Sequence, residues 1–171
     1  AEGLTIELNA QNQPSDLARL DADIAVRPAV RLPPDLVGAC AGQLGFAVYA
    51  APGAQNGWLG FAGSLRRSSP SDWFDRSVAE TEILGRADSF PVLREMAAAG
   101  QGRVVLPEVL GDRDPRLVRL DHALPEMRVD LWVASHADLA DVPRIKAVRE
   151  MLFTALAKDR DLTPAAAGDG V

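Results

Sequence analysis

The sequence predicts an α/β fold, because apolar strand-like segments alternate with amphipathic helical segments along the chain. Gly45 to Ala50 and Val104 to Leu106 are short apolar runs bounded by turn residues, as buried strands are. Two amphipathic segments predict helices, and each carries a proline in its first turn, Pro91 or Pro143, where proline is tolerated. The length of 171 residues suits one domain or two small lobes.

The remaining elements follow in chain order. Apolar or alternating segments predict further strands at Leu4 to Leu8, Ala22 to Val26, Gly57 to Gly63, Glu80 to Arg86, Leu117 to Leu120 and Arg128 to Ser135. A polar turn, Asn9 to Pro14, follows the first of these strands. A short helix from Asp16 to Leu20, with Ser15 as its N-cap, precedes the second. The second strand is apolar except for Asp23, which predicts a buried parallel strand.

Caps and apolar stripes define the two longer helices. The first begins at Asp88 or Ser89 and ends at Gly100 and Gly102. Its predicted buried stripe is Val92, Leu93, Met96 and Ala97. The second helix begins after Asp141 as N-cap, and its predicted apolar face is Ile145, Val148, Leu152, Ala155 and Leu156.

Composition and motifs argue against several functions. The net charge of −6 provides no basic field for nucleic acid, so any DNA contact must come from another segment. One cysteine, Cys40, allows no intramolecular disulfide, and no apolar run is long enough to span a bilayer. The two histidines, His122 and His136, lie outside any metal-binding or hydrolase motif. We therefore expect no catalytic residue, no metal site and no cofactor.

Several segments in order resemble the LysR-type transcriptional regulators. Residues 16–27 (DLARLDADIAVR) are similar to the helix and strand that lead to the effector cleft of that family. The resemblance continues in residues 36–52 (LVGACAGQLGFAVYAAP), 87–107 (ADSFPVLREMAAAGQGRVVLP) and 131–139 (LWVASHADL). Each motif is weak alone, but their order and spacing extend from Leu4 to about Ala157. The family's DNA-binding domain and the opening strand-helix unit of its first lobe have no counterpart in the sequence.

The resemblance implies a two-lobed, type 2 periplasmic-binding-protein-like α/β fold with two crossover strands. Its first lobe would comprise residues 1–48 and 132–158, and its second lobe residues 49–131. Gly45 to Pro52 would form one crossover and Arg128 to Ser135 the return. Residues 159–171 are small and polar, which predicts a flexible C-terminal tail.

Three segments are candidates for effector binding. Arg27 and Pro28 end the second strand, where an arginine can pair with a carboxylate. A structural salt bridge from Arg27 to Asp23 or Asp35 is an equally good interpretation. The backbone N–H groups of a helix start bind anions, and the matching family segment faces the effector, which together favour Ala87, Asp88, Ser89 and Phe90. The turn that holds Asn9, Ala10 and Gln11 matches a turn that lines the family's cleft, although a solvated loop explains it as well.

The resemblance implies a cytoplasmic effector-sensing domain that binds a small metabolite, with a carboxylate as the expected class. It would act as a homodimer or homotetramer, contact DNA through a domain outside this chain and not associate with membranes. Two alternatives share the fold, since fold does not decide function. A solute-binding protein of a transport system would carry a secretion signal. An enzyme would need a convergent set of acid, base or nucleophile.

Overall fold

The computed structural model describes residues 4–10, 22–122 and 124–164. In these ranges the chain forms the strands β1 (Ala25–Pro28), β2 (Leu36–Ala50), β3 (Trp58–Phe61), β4 (Ile83–Ala87), β5 (Arg103–Pro107), β6 (Val118–Leu120) and β7 (Arg128–His136). The α-helices are α1 (Ser71–Ser77), α2 (Phe90–Ala98), α3 (Glu108–Gly111) and α4 (Pro143–Ala157). Short 3₁₀ helices occupy Gly63–Arg67, Glu80–Glu82 and Ala137–Leu139.

Strand β2 belongs to both halves of the sheet. Its first part, from Leu36 to Gly45, pairs antiparallel with β7, which also pairs antiparallel with β1. Its last part, from Phe46 onward, pairs antiparallel with β5 and β6. The strands β5, β3 and β4 then continue the second half in parallel. The chain therefore crosses from one half to the other between Gly45 and Phe46, which we call the crossing point.

The second half contains the larger core. Leu59, Val104, Val105 and Leu106 of its central strands are completely buried, as is Leu93 of α2. Helices cover this half on the sheet faces, which explains why its strands are continuously apolar rather than alternating. In the first half, α4 packs on β2 and β7. A hydrogen bond of 2.7 Å from Arg149 Nη1 to Ser135 Oγ joins α4 to β7.

The N-terminal predictions need two corrections. The strand predicted at Leu4 to Leu8 is wrong, because residues 4–10 form no regular secondary structure and are all exposed. Within the described ranges β1 pairs only with β7, so residues 4–8 have no partner strand there. A strand without a partner would leave its backbone N–H and C=O groups without hydrogen bonds to the sheet. The second strand is Ala25–Pro28 rather than Ala22 to Val26, and it is an antiparallel edge strand rather than a buried parallel one. Residues 11–21, with the predicted Asp16 helix, lie outside the described residues.

The helical stripes also differ in detail from the prediction. Val92 is 49% exposed, and the half-buried Phe90 packs on the core in its place. Helix α2 begins at Phe90, so positions 90, 93 and 97 face the sheet with helical spacing. Ala155 of α4 is exposed. The N-cap of α4 is Val142 without a side-chain capping bond, not Asp141.

Part of the predicted flexible tail is packed. Within residues 159–164, Leu162 is buried and Thr163 forms an antiparallel bridge with Gln43 of β2. The polar composition of this segment reflects ion pairs rather than solvation, since Asp159 and Asp161 both bind Arg113. Residues 165–171 lie outside the described residues.

Candidate functional site

Three parallel strands of the second half end at one edge of the sheet. Because β3 pairs parallel with both β4 and β5, their last residues Phe61, Ala87 and Pro107 lie at the same edge. The backbone N–H of Ala62 donates to the carbonyl oxygen of Ala87 at 2.9 Å, which joins the segments that follow β3 and β4. In open α/β sheets this carboxyl edge is where ligands bind.

The strand registers show that this edge faces the first half of the sheet. Pro107 lies opposite Phe46, so the parallel strands end at the crossing point. Strand β1 runs in the same direction as β2, since both are antiparallel to β7, and its last residue Pro28 is level with Leu131 and Gly42. From Gly42 to Phe46 the strand advances by roughly 13 Å at its usual rise per residue. The carboxyl ends of β1 and of β3 to β5 are therefore directed toward the crossing point from its two sides, and we call the space between them the gap.

The start of helix α2 lies on the second-half side of this gap. Its N-cap is Ser89, in extended conformation and without a side-chain capping bond. The Leu93 N–H donates to the Ser89 carbonyl oxygen at 2.9 Å, so the N–H groups of Phe90 and Val92 precede the helical bonds. The ring centroid of Phe90 lies 6.1 Å from that of Phe46 and 6.0 Å from that of Phe61. Aromatic packing thus anchors the helix start to both β2 and β3.

Two charged residues, Asp88 and Arg86, lie near this helix start. Asp88 is exposed and directly precedes Ser89, the N-cap residue of α2. Gly63 lies against it, with φ of +51° and a position for a Cβ only 3.0 Å from Asp88 Cβ. Arg86 is committed elsewhere, because its Nη2 pairs with Glu80 at 2.6 Å and its Nη1 donates to the Phe61 carbonyl oxygen at 3.2 Å.

Arg27 lies on the first-half side of the gap. It is half-buried in β1, in register with Trp132 of β7. The Trp132 Nε1 donates to the carbonyl oxygen of Ala29 at 3.0 Å, which holds the end of β1 on β7. Across the described ranges Arg27 has no ion pair, so the alternative of a salt bridge to Asp23 or Asp35 is wrong.

The structure brings only some of the predicted site residues together. Ala87, Asp88, Ser89 and Phe90 form one cluster at the start of α2. Arg27 and Pro28 lie on the opposite side of the gap and are the last two residues of β1.

The remaining predicted site residues are Asn9, Ala10 and Gln11. Asn9 and Ala10 are exposed and outside any strand or helix, and Gln11 lies outside the described residues. The sequence reasoning missed the contribution of Phe46 and Phe61. Phe46 falls within the apolar run that predicted β2, but periodicity cannot tell which strands bring their aromatic rings together.

Two grooves lie on the described surface, and the second of them shares Phe46 with this site. One, of about 560 Å³, lies between α4 and the strands β2 and β7, and includes Val37, Val133 and Phe153. The other, of about 420 Å³, lies beside β2 and β6. Among the residues that the structure describes, no group of three or more histidine, cysteine, aspartate or glutamate side chains is placed to hold a metal ion.

Two sheet halves that share a crossing strand, with their carboxyl ends facing each other, define a two-lobed binding protein of the type 2 periplasmic-binding-protein-like class. This confirms the predicted fold. The chain belongs to the LysR substrate binding domain family, whose model matches residues 2–157. Direct comparison with curated protein sequences finds no significant match.

Solved structures of LysR-type regulators share this fold. The regulatory domain of CrgA from Neisseria meningitidis is 21% identical with a TM-score of 0.66, over 83% of this chain and 79% of that one. The AmpR effector binding domain from Citrobacter freundii is 17% identical with a TM-score of 0.67, over 87% and 82%. A full-length OxyR from Pseudomonas aeruginosa is 15% identical with a TM-score of 0.63, over 90% of this chain but 54% of that one.

Proposed function

We propose that this chain is the effector-sensing regulatory domain of a LysR-type transcriptional regulator and binds a small metabolite between its lobes. Membership of the family supports this function. The observation that carries the location of the site is the strand register, which directs the carboxyl ends of β1 and of β3 to β5 toward the crossing point. In this proposal residues 1–48 and 132–158 form the first lobe and residues 49–131 the second, with the crossing strands at the boundary.

The ligand is proposed to be a small monocarboxylate. Arg27 offers a guanidinium group, which binds a carboxylate through two parallel hydrogen bonds. The start of α2 offers the backbone N–H groups of Phe90 and Val92, which can donate to an oxygen atom of the ligand. The half-buried ring of Phe90 suits an apolar body between the two ends.

A charge-neutralising variant tests this assignment. Arg27→Gln removes the cation, and Arg31→Gln is its matched control because Arg31 is exposed in the following loop and has no ion pair within the described part of the chain. Binding of small aliphatic and aromatic monocarboxylates, with the corresponding primary amides as neutral counterparts, is measured by calorimetry. A hydrogen-bonded charge contributes about 1.5–3 kcal/mol, so Arg27→Gln should weaken carboxylate binding by about 10- to 150-fold.

The control and the amides define what would contradict the proposal. Arg31→Gln should bind the same carboxylates as the unmodified chain, and the amides should bind weakly to all three proteins. Equal affinity of the Arg27→Gln variant and the unmodified chain for a bound carboxylate would exclude Arg27 as its partner. Equal affinity for a carboxylate and its amide would exclude the carboxylate class.

The titratable side chains outside the site support a non-enzymatic role. His122 packs edge-on against Trp58, with ring centroids 5.1 Å apart. Asp112 accepts a hydrogen bond from Tyr49 at 2.7 Å, and Asp114 binds Arg116 at 2.7 Å. These contacts stabilise the fold, so the three side chains act in them as structural partners.

Further proposals follow from the family. The parent regulator contacts DNA through a segment outside this chain, in keeping with the net charge of −6 here. It acts in the cytoplasm as a homodimer or homotetramer. No helix in the described ranges combines the length and the apolar character needed to cross a membrane. Sedimentation velocity over a range of protein concentrations tests the oligomer, and a monomer at all concentrations would exclude self-association through this domain.

A further inference from the structure

Residues 159–164, which we call the closing segment, return from the end of α4 to strand β2. The N–H of Gln43 donates to the Thr163 carbonyl oxygen at 2.8 Å, and the N–H of Thr163 donates back to the Gln43 carbonyl oxygen at 3.1 Å. Leu162 is buried beneath this bridge. A Cβ at Gly42 would lie 3.0 Å from the Thr163 carbonyl oxygen, so the glycine provides the space that the segment occupies.

The closing segment contacts both strands that join the lobes. Gln43 lies just before the crossing point of β2, and its Nε2 donates to Asp130 of β7 at 2.7 Å. Arg128, the first residue of β7, donates from Nη1 to the Thr163 hydroxyl. The segment is therefore attached at the place where any change in the angle between the lobes must bend the backbone.

Ion pairs connect the same segment to the second half of the sheet. Arg113 lies between α3 and β6, and its Nη2 is 2.6 Å from Asp159 Oδ1. Its Nε donates to Asp161 Oδ2. The N–H of Asp161 and the guanidinium of Arg113 both lower the pKa of Asp159, so the carboxylate stays ionised near neutral pH. Because Asp159 follows α4 of the first half, these ion pairs are a third connection between the two halves.

We propose that the closing segment is a clasp that sets the angle between the lobes in the absence of effector, with Arg113 as its releasable end. The side chain of Arg113 is 56% exposed, and exposed ion pairs are weak and screened by salt. The clasp can therefore open without unfolding either lobe, whereas the backbone bridge at Thr163 stays in place. Its role as a regulator of effector affinity rests on the proposed function, but the clasp itself can be measured without a ligand.

Distances between spin labels on the two lobes test the clasp in the full chain. Labels are placed on cysteines at Lys146 and Ala99, both exposed, after Cys40→Ser removes the native thiol. Arg113→Gln opens the clasp. Arg160→Gln is the matched control, since Arg160 has the same charge, lies within the closing segment and is exposed without an ion pair in the described part of the chain.

The expected result is one narrow distance distribution for the unmodified sequence and for Arg160→Gln, and a broader or shifted distribution for Arg113→Gln. Replacing both Asp159 and Asp161 by asparagine should have the same effect as Arg113→Gln, because both carboxylates pair with Arg113, and combining all three changes should have no larger effect. About 1 M salt, with a Debye length of about 3 Å, should broaden the distance distributions of the unmodified sequence and of Arg160→Gln. It should leave the distribution of Arg113→Gln unchanged. Identical distributions for Arg113→Gln and Arg160→Gln would overturn the proposal, whatever the outcome of the Arg27 experiment.

Discussion

Replacing Gly63 by alanine tests the geometry of the candidate site with a single methyl group. At φ of +51° Gly63 adopts a left-handed conformation, which costs a residue with a Cβ about 1–2 kcal/mol. The added Cβ would also lie 3.0 Å from Asp88 Cβ, so Asp88 must shift slightly, at a further cost of about 1 kcal/mol. We expect Gly63→Ala to lower the free energy of unfolding by about 2–3 kcal/mol.

Gly53→Ala is the matched control for the backbone conformation. Gly53 also has a positive φ, of +74°, but nothing lies within 4 Å of the position that a Cβ would take. We expect Gly53→Ala to lower the free energy of unfolding by about 1–2 kcal/mol, because only the cost of the left-handed backbone conformation applies. The difference between the two variants isolates the contact between Gly63 and Asp88.

Urea unfolding followed by tryptophan fluorescence measures both variants, because Trp58 is 3% exposed and reports on the core. The midpoints should differ while the slopes agree, so that the comparison reflects stability alone. Carboxylate binding should also weaken in Gly63→Ala, which displaces Asp88 and Ser89, and not in Gly53→Ala. Equal loss of stability in the two variants would refute the tight packing of Gly63 against the start of α2.

Three further outcomes are expected. Tyr49 has a buried ring, and Tyr49→Phe removes its 2.7 Å hydrogen bond to Asp112. Urea unfolding should show a free energy of unfolding that is lower by about 1–2 kcal/mol. Phe90→Ala should lower it by about 3 kcal/mol, and a loss below about 1 kcal/mol would contradict the anchoring of α2. Hydrogen bonds from Arg116 lower the pKa of Asp114 to about 2, below its unfolded value of about 4. This stabilisation is therefore complete above about pH 5 and lost as the pH falls toward 2, so the melting temperature should fall more steeply there than in Asp114→Asn.

Local sequence patterns predict correctly the elements that depend only on residues within one segment. The apolar runs in β2 and β5 predicted buried strands, and helix α4 begins near its first-turn Pro143 as expected. The resemblance of several ordered segments to one family predicted the two-lobed fold, which the family match confirms. These predictions succeed because they depend on burial and on capping chemistry along a single segment.

The errors arose where a distant segment decides the outcome. An apolar run cannot distinguish a covered parallel strand from an antiparallel edge strand, so the burial and the direction predicted for this strand are wrong. Val92 and Phe90 compete for the buried face of α2, and the aromatic rings of Phe46 and Phe61 decide in favour of Phe90. Asp159 and Asp161 belong to a polar segment, and only the position of Arg113 in space shows that their charges are paired.

The strand order of the first half has a consequence for how the chain emerges from the ribosome. The parallel strands β3, β4 and β5 are close in sequence, so they can pair early. Leu36 of β2, by contrast, pairs with His136 of β7, and β1 is held by the same late strand. Such distant pairings carry a high contact order and form slowly. During synthesis the edges of β1 and β2 therefore stay open to mispairing until β7 has been made, which marks the first lobe as the part most in need of a chaperone.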